Sequence, residues 1–251
     1  MRKSSKTSGF GTTARISHDS SAYYQSKLYS GTSAGELASL NSDNPFPSQY
    51  ENMILHKSAE SMQEIPDCSV HLMVTSPPYN AAKEYDKDLS LVDYLQLLKN
   101  VFSETYRILI YGGRACINIA NIGRKPYIPL SDYISQIMIE IGYLMRGEII
   151  WVKGAGAGTS MAWGSWQSAA NPVLRDTHEY ILVFSKGTFS RKKPADKEDT
   201  ISRTQFLEWT KSVWQMKPQS AKKVGHPAPF PIELPYRLIQ LYSFADDIVL
   251  D

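Results

Sequence analysis

The residues best suited to chemistry are 75–80, which read TSPPYN and directly follow the apolar run VHLMVT at 70–75. The consecutive prolines Pro77 and Pro78 fix φ at two positions and remove two backbone N–H donors. Such a turn presents carbonyl oxygen, the Ser76 hydroxyl and the aromatic face of Tyr79. These groups suit a planar substrate bearing an NH2 group, whose two hydrogens need acceptors and whose ring needs a stacking partner. A rigid turn leaving a strand would use the same residues, so the motif takes its meaning from its surroundings. In an open α/β sheet, ligands bind beyond the carboxyl ends of the strands, and a reactive loop belongs there.

The elements that must position this loop follow an α/β rhythm from Asn52 onward, with apolar strand-like runs alternating with amphipathic helical ones. Residues 53–56 predict a short strand, 59–65 a short helix, 66–67 a turn and 70–75 a buried strand. Across 91–109, Leu91, Tyr94, Leu95, Leu98, Phe102, Tyr106 and Leu109 recur at three- and four-residue spacing, which predicts a long helix. Tyr111-Gly112-Gly113 is expected to end it. Strands are expected at 114–120, 144–153 and 179–185, and helices at 130–141, 202–213 and 231–241. A loop containing Gly, Ser and Trp occupies 154–175, and a charged loop 191–200. The run DIVLD at 247–251 reads as another buried strand.

Composition narrows the class further. The chain has 251 residues, 42% hydrophobic and 21% charged, enough for one sizeable core. A net charge of +2 does not by itself announce a nucleic-acid binder. Cys68 and Cys116 are too few for a disulfide framework and read as small buried hydrophobes in a reducing cytoplasm. No run approaches the roughly 18 apolar residues of a membrane span. Arg2, Lys3 and Lys6 have no apolar segment behind them, so no secretory signal is read. The five histidines lack ligand spacing, and no metal is expected. Residues 1–48, rich in Ser, Thr and Gly, read as an irregular arm with a short helix near 34–40.

In this setting TSPPYN resembles motif IV of the DNA amino-methyltransferases that modify cytosine N4 or adenine N6. The resemblance continues through YRILIYGGRACINI (106–119), GYLMRGEIIWVKG (142–154), WGSWQSAANPVLRDTHEYILVFS (163–185) and HPAPFPIELPYRL (226–238). With the catalytic motif ahead of the cofactor segment, the order resembles the circularly permuted beta class. The resemblance implies a Rossmann-like sheet with helices on both faces and S-adenosyl-L-methionine as cofactor. It also implies double-stranded DNA as partner, with a flipped base as acceptor. Ser76 Oγ and the Pro77 carbonyl would accept the amine hydrogens, Pro78 would stiffen the loop and Tyr79 would stack on the base. Serine at the first motif position looks like the cytosine-N4 subgroup; adenine N6 stays open.

The same resemblance makes His226, Pro227, Phe230, Pro231 and Glu233 a wall of the cofactor pocket, and Asp251 a cofactor contact. Trp163 and Trp166 fit base or DNA contact, and Arg175, Arg191, Lys192 and Lys193 fit phosphate contact. The expected layout is an arm (1–48), a catalytic core (49–185), a target-recognition region (186–224) and a cofactor-side helix with the start of a core strand (225–251). Beta-class relatives run from DIVLD into a glycine-rich F-x-G-x-G loop that does not occur in this sequence, so the expected sheet is incomplete. A second polypeptide is the expected source of that loop, and a cognate restriction endonuclease a possible partner. The DIVLD strand should lie beside the catalytic strand, leaving 53–56 without its sheet neighbour. Lys57-Ser58 stands where many relatives carry Gly-Asp. Two other readings stay open: a methyltransferase acting on RNA or on a protein amide, and a DNA-binding remnant without cofactor.

Overall fold

The fold comes from a computed structural model that describes residues 6–8, 14–16, 24–30, 43–79, 89–154, 164–225 and 228–251. The chain divides into two compact units, Met1–Gly35 and Glu36–Asp251. In the first, β1 (Lys6–Ser8) pairs antiparallel with β2 (Ala14–Ile16), and Lys27–Tyr29 forms one 3-10 turn. The expected irregular arm therefore contains a hairpin; the helix expected near 34–40 lies outside the described residues.

The second unit is built on six paired strands. In chain order its elements are β3 (Val70–Thr75), α1 (Leu91–Ile108), β4 (Leu109–Ile119), β5 (Ile122–Gly123), β6 (Tyr127–Ile128), α2 (Leu130–Ile141) and β7 (Tyr143–Val152). There follow β8 (His178–Lys186), α3 (Arg203–Trp209), β9 (Val213–Gln215), α4 (Ala221–Val224), α5 (Glu233–Tyr242) and β10 (Val249–Leu250). The sheet order is β10-β3-β4-β8-β7-β9; β5 and β6 form a separate hairpin. Strands β10, β3 and β4 are mutually parallel, β8 runs antiparallel to both β4 and β7, and β9 is parallel to β7. This is an α/β sheet of Rossmann-like type, with the DIVLD strand beside the strand that carries TSPPY, as expected.

Helix α1 forms because Tyr94, Leu98, Phe102, Thr105 and Ile108 bury one stripe, and because Ser90 caps its first turn by accepting from the Asp93 amide. Helix α2 stops at Gly142, whose φ of 112° suits glycine at a helix end. Successive strand residues point to opposite faces, so the sheet builds two cores. Val70, Met73, Ala115, Ile117, Leu182 and Phe184 pack on the side of α1 and α2. Leu72, Val74, Cys116, Ile181, Val183 and Trp151 pack with Leu234 and Leu238 of α5 on the other.

Three expectations need correction. Residues 53–56 form no strand: Ile54 is 96% exposed, and no strand among the described residues pairs with the segment. Residues 59–65 are turns, with Met62 and Ile65 buried as anchors and the rest of the segment supporting no helix. Gly112 and Gly113 do not stop the helix; they sit inside β4, where the register against β3 shifts between Val70 and Leu72. There Gly112 takes φ +77°, and a Cβ would lie 2.7 Å from the Ser190 carbonyl oxygen. Part of 186–224, the expected target-recognition region, packs on the sheet. Trp209 of α3, Trp214 of β9 and Met216 are buried in the second core, and β9 pairs with β7. Trp151 Nε1 donates to the Met216 carbonyl at 2.9 Å, and Trp214 Nε1 to that of Trp209 at 3.1 Å.

Both cysteines are buried and free, and burial pushes the Cys116 thiol up to about 12. No helix among the described residues is long and apolar enough to cross a membrane.

Candidate active site

Residues 76–79 leave the sheet at the carboxyl end of β3, and strand alternation decides what faces them. On β4, Cys116 belongs to the second core, so Asn118 points to the same face. On β8 the same relation links Ile181 to Glu179, and at the end of β7 it links Trp151 to Lys153. The register places Trp151 opposite Glu179 and Asn118 opposite Ile181. Three strands therefore deliver an amide, a carboxylate and an ammonium beneath one loop.

These groups form a connected network. Asn118 Nδ2 donates to Glu179 Oε2 at 2.6 Å and lies 3.0 Å from Tyr79 OH and 3.3 Å from Ser76 Oγ. The Tyr79 hydroxyl donates to Glu179 Oε2 at 2.9 Å and lies 3.3 Å from Ser76 Oγ. Lys153 Nζ pairs with Glu179 Oε1 at 2.6 Å and sits 5.4 Å from the centre of the Trp151 ring. Burial, reinforced by the charge of Glu179, pushes the Tyr79 phenol well above its ordinary range, so it stays protonated and able to donate. The loop is braced from α1, where Tyr94 OH donates to the Pro78 carbonyl at 2.7 Å. Asn118 Oδ1 is buried without a hydrogen-bond partner. An orphan acceptor of that kind costs about 1–3 kcal/mol.

Two cavities meet at this loop. The smaller, about 290 Å³, is lined by Ser76, Tyr79, Asn118, Trp151, Lys153 and Glu179, with Gln219 and Phe230 among its other walls. The larger, about 620 Å³, is lined by Ser76, Pro77, Pro78, Tyr79, Val224, Phe230, Ile232 and Asp251 among others. Ser76, Tyr79 and Phe230 line both, so the TSPPY loop is a wall shared by a chamber that holds the Asn118–Lys153–Glu179 cluster and a larger, more apolar one.

The structure thus brings Ser76, Pro77, Pro78, Tyr79, Phe230 and Asp251 together. Pro231 is buried beside this group without lining either cavity, and Glu233 pairs with Arg237 one helical turn along α5. Trp166 and Arg175 are exposed in the 164–176 loop between β7 and β8, which leaves the sheet at the same end as Ser76. Arg191 and Lys193 lie elsewhere. The chain after β8 emerges at the opposite end of the strands, where Arg191 pairs with Asp247 and Lys193 with Asp199; Lys192 between them is exposed. Trp163, His226 and Pro227 lie outside the described residues. Sequence reasoning missed Asn118, Lys153 and Glu179. Their signal was a polar residue within or at the end of a run otherwise apolar enough to be buried.

Comparison with known proteins settles the family. The DNA methylase family model N6_N4_Mtase matches residues 70–251. The chain belongs to this DNA methylase family. It is 32% identical over 165 residues to the type II methyltransferase M.MjaVI of Methanocaldococcus jannaschii, covering 64% of this chain and 84% of that enzyme. The type II methyltransferase M.MjaI of the same organism is 29% identical over 238 residues, 79% of this chain and 78% of its own. Among solved structures, the putative DNA modification methylase TTHA0409 from Thermus thermophilus, complexed with S-adenosyl-L-methionine, is 27% identical with a TM-score of 0.60, covering 77% of each chain. The matched span in this DNA methylase begins at β3, the strand that carries TSPPY.

Proposed function

We propose that this DNA methylase transfers a methyl group from S-adenosyl-L-methionine to N4 of a cytosine flipped out of double-stranded DNA. The observation that carries the reading is the shared wall: one loop lines both a chamber with polar groups and an apolar one, as a transfer between two ligands requires. The larger chamber suits the cofactor, since Pro77, Val224, Phe230 and Ile232 offer apolar contact and Asp251 a carboxylate for hydroxyl groups. Bound there, S-adenosyl-L-methionine would supply an electrophilic methyl group on a sulfonium sulfur.

The chain's own residues act on the acceptor. An exocyclic amine conjugated to its ring is a poor nucleophile, and acceptors on its N–H bonds draw its lone pair back toward the nitrogen. Ser76 Oγ is one acceptor. The Pro77 carbonyl is the other, the neighbouring Pro78 carbonyl being engaged by Tyr94. The Tyr79 ring, anchored through its hydroxyl, gives the base a face to stack on. The exposed Trp166 and Arg175, at the same end of the sheet, contact DNA in this reading.

Two finer proposals accompany it. Ser76 at the first motif position favours cytosine N4 over adenine N6. A cognate endonuclease shares the recognition site. Labelled S-adenosyl-L-methionine and mixed-sequence DNA test the acceptor, with methylated nucleosides identified by mass spectrometry. N4-methyldeoxycytidine supports the reading, N6-methyldeoxyadenosine replaces the acceptor, and no labelled nucleoside contradicts it.

A further inference from the structure

The reaction as proposed leaves one buried charge unused. Glu179 is 8% exposed, its carboxylate accepts from Tyr79 and Asn118 on one oxygen, and Lys153 pairs with the other. A carboxylate cannot donate, so the hydrogen between Tyr79 and Glu179 belongs to Tyr79. With its only hydrogen committed there, the Tyr79 oxygen can only accept from Ser76, 3.3 Å away. The hydroxyl chain Ser76 → Tyr79 → Glu179 can therefore run in one direction only: where Ser76 bonds to Tyr79 it gives its hydrogen away from the substrate and keeps a lone pair for it, while Asn118 Nδ2 lies within donating distance of both oxygens.

We propose that Glu179 is a positioning residue which, paired with Lys153 on its other oxygen, sets this direction and so fixes Ser76 as a hydrogen-bond acceptor for the target amine. The inference rests on the reading of Ser76 as that acceptor. Without a carboxylate at the end of the chain, Tyr79 could donate to Ser76, and the Ser76 hydroxyl would turn its hydrogen onto an amine that itself needs acceptors. The same chain carries the proton the amine must shed once its new N–C bond has formed. The N–H bond breaks as an O–H bond forms on Ser76, Ser76 passes its own hydrogen to Tyr79, and Tyr79 passes its hydrogen to Glu179. The product is a neutral methylamino group and a protonated carboxyl. Asn118 Nδ2 donates to the same carboxylate oxygen and keeps it aimed at Tyr79.

The test compares Glu179→Gln, Glu179→Asp, Tyr79→Phe, Ser76→Ala and the Glu179→Gln/Tyr79→Phe double variant in the preparation that transfers methyl. Glutamine keeps the size and polarity of Glu179 but can donate. The expected result is a fall in kcat on the order of 100-fold for Glu179→Gln, with DNA KM and S-adenosyl-L-methionine affinity unchanged. Aspartate recovers part of the rate, and the double variant is no slower than Tyr79→Phe alone because both break one chain. Unchanged kcat in Glu179→Gln beside an inactive Ser76→Ala overturns the Glu179 assignment and leaves Ser76 in place. So does an additive double variant. Full activity in Ser76→Ala overturns the underlying reading of Ser76 as well.

Discussion

Asp247, just ahead of β10, offers a prediction whose size follows from the structure. Its side chain is fully enclosed and pairs with both terminal nitrogens of Arg191, whose own side chain is 12% exposed. It also accepts from the Phe244 amide at 2.9 Å, and His71 and Lys197 each approach to 3.7 Å. The same corner joins β10 to β3, since the His71 amide donates to the Ile248 carbonyl and the Ile248 amide to His71 Nδ1, both at 3.0 Å. Asp247→Ala strands the Arg191 guanidinium. Losing one partner of a buried pair costs about 3–5 kcal/mol, and about 3 is expected because Arg191 keeps some solvent and the face of Phe244, 4.9 Å away. With a urea slope of about 3 kcal/mol per molar, the unfolding midpoint falls by about 1 M. Burial alone would raise the Asp247 carboxyl, but its hydrogen bonds to Arg191 and the Phe244 amide, with His71 nearby, hold it below its ordinary value. A depressed folded value means the stabilisation is present above the unfolded value of about 3.9 and is lost as pH falls through the folded one. The wild-type advantage should therefore shrink below about pH 4. A midpoint shift under about 0.3 M, or a difference that does not change on acidification, would refute the reasoning.

Three further outcomes follow from the same geometry. Gly112→Ala should destabilise by about 1–3 kcal/mol in urea unfolding, because the left-handed backbone and the Ser190 carbonyl both oppose a Cβ. Phe230→Ala should weaken S-adenosyl-L-methionine binding by about tenfold in calorimetry, from loss of apolar contact in the larger chamber. Trp166→Ala should weaken DNA binding in a fluorescence titration while leaving cofactor affinity alone, as its ring is 66% exposed at the catalytic end.

Where burial follows a simple period, the sequence was readable. The helix expected at 91–109 is found at Leu91–Ile108, and that at 130–141 at Leu130–Ile141, because each presents one uninterrupted apolar stripe. The strand leading into TSPPYN was readable for the same reason, and with it the place of the TSPPYN loop at the carboxyl end of the sheet. What escaped depends on partners distant in sequence. Apolar Met53 and Ile54 look like a strand, but among the described residues no strand pairs with them and both are exposed. Gly112-Gly113 looks like a helix stop, although the close approach of Ser190 is what demands glycine there. The charged stretch near Arg191 hid an ion pair 56 residues apart in sequence. Asn118, Lys153 and Glu179 each look incidental within their own strands. Only the β4–β8–β7 register makes them one cluster.

The central claim is that the TSPPY loop holds a DNA amine for methylation, and single-turnover transfer by wild type and Ser76→Ala tests it most directly. Both would be saturated with labelled S-adenosyl-L-methionine and given the same DNA. The account predicts N4-methyldeoxycytidine from the wild type and a rate at least about 100-fold lower from the variant, with cofactor affinity intact. Equal rates, or a loss explained wholly by weaker cofactor binding, would contradict it.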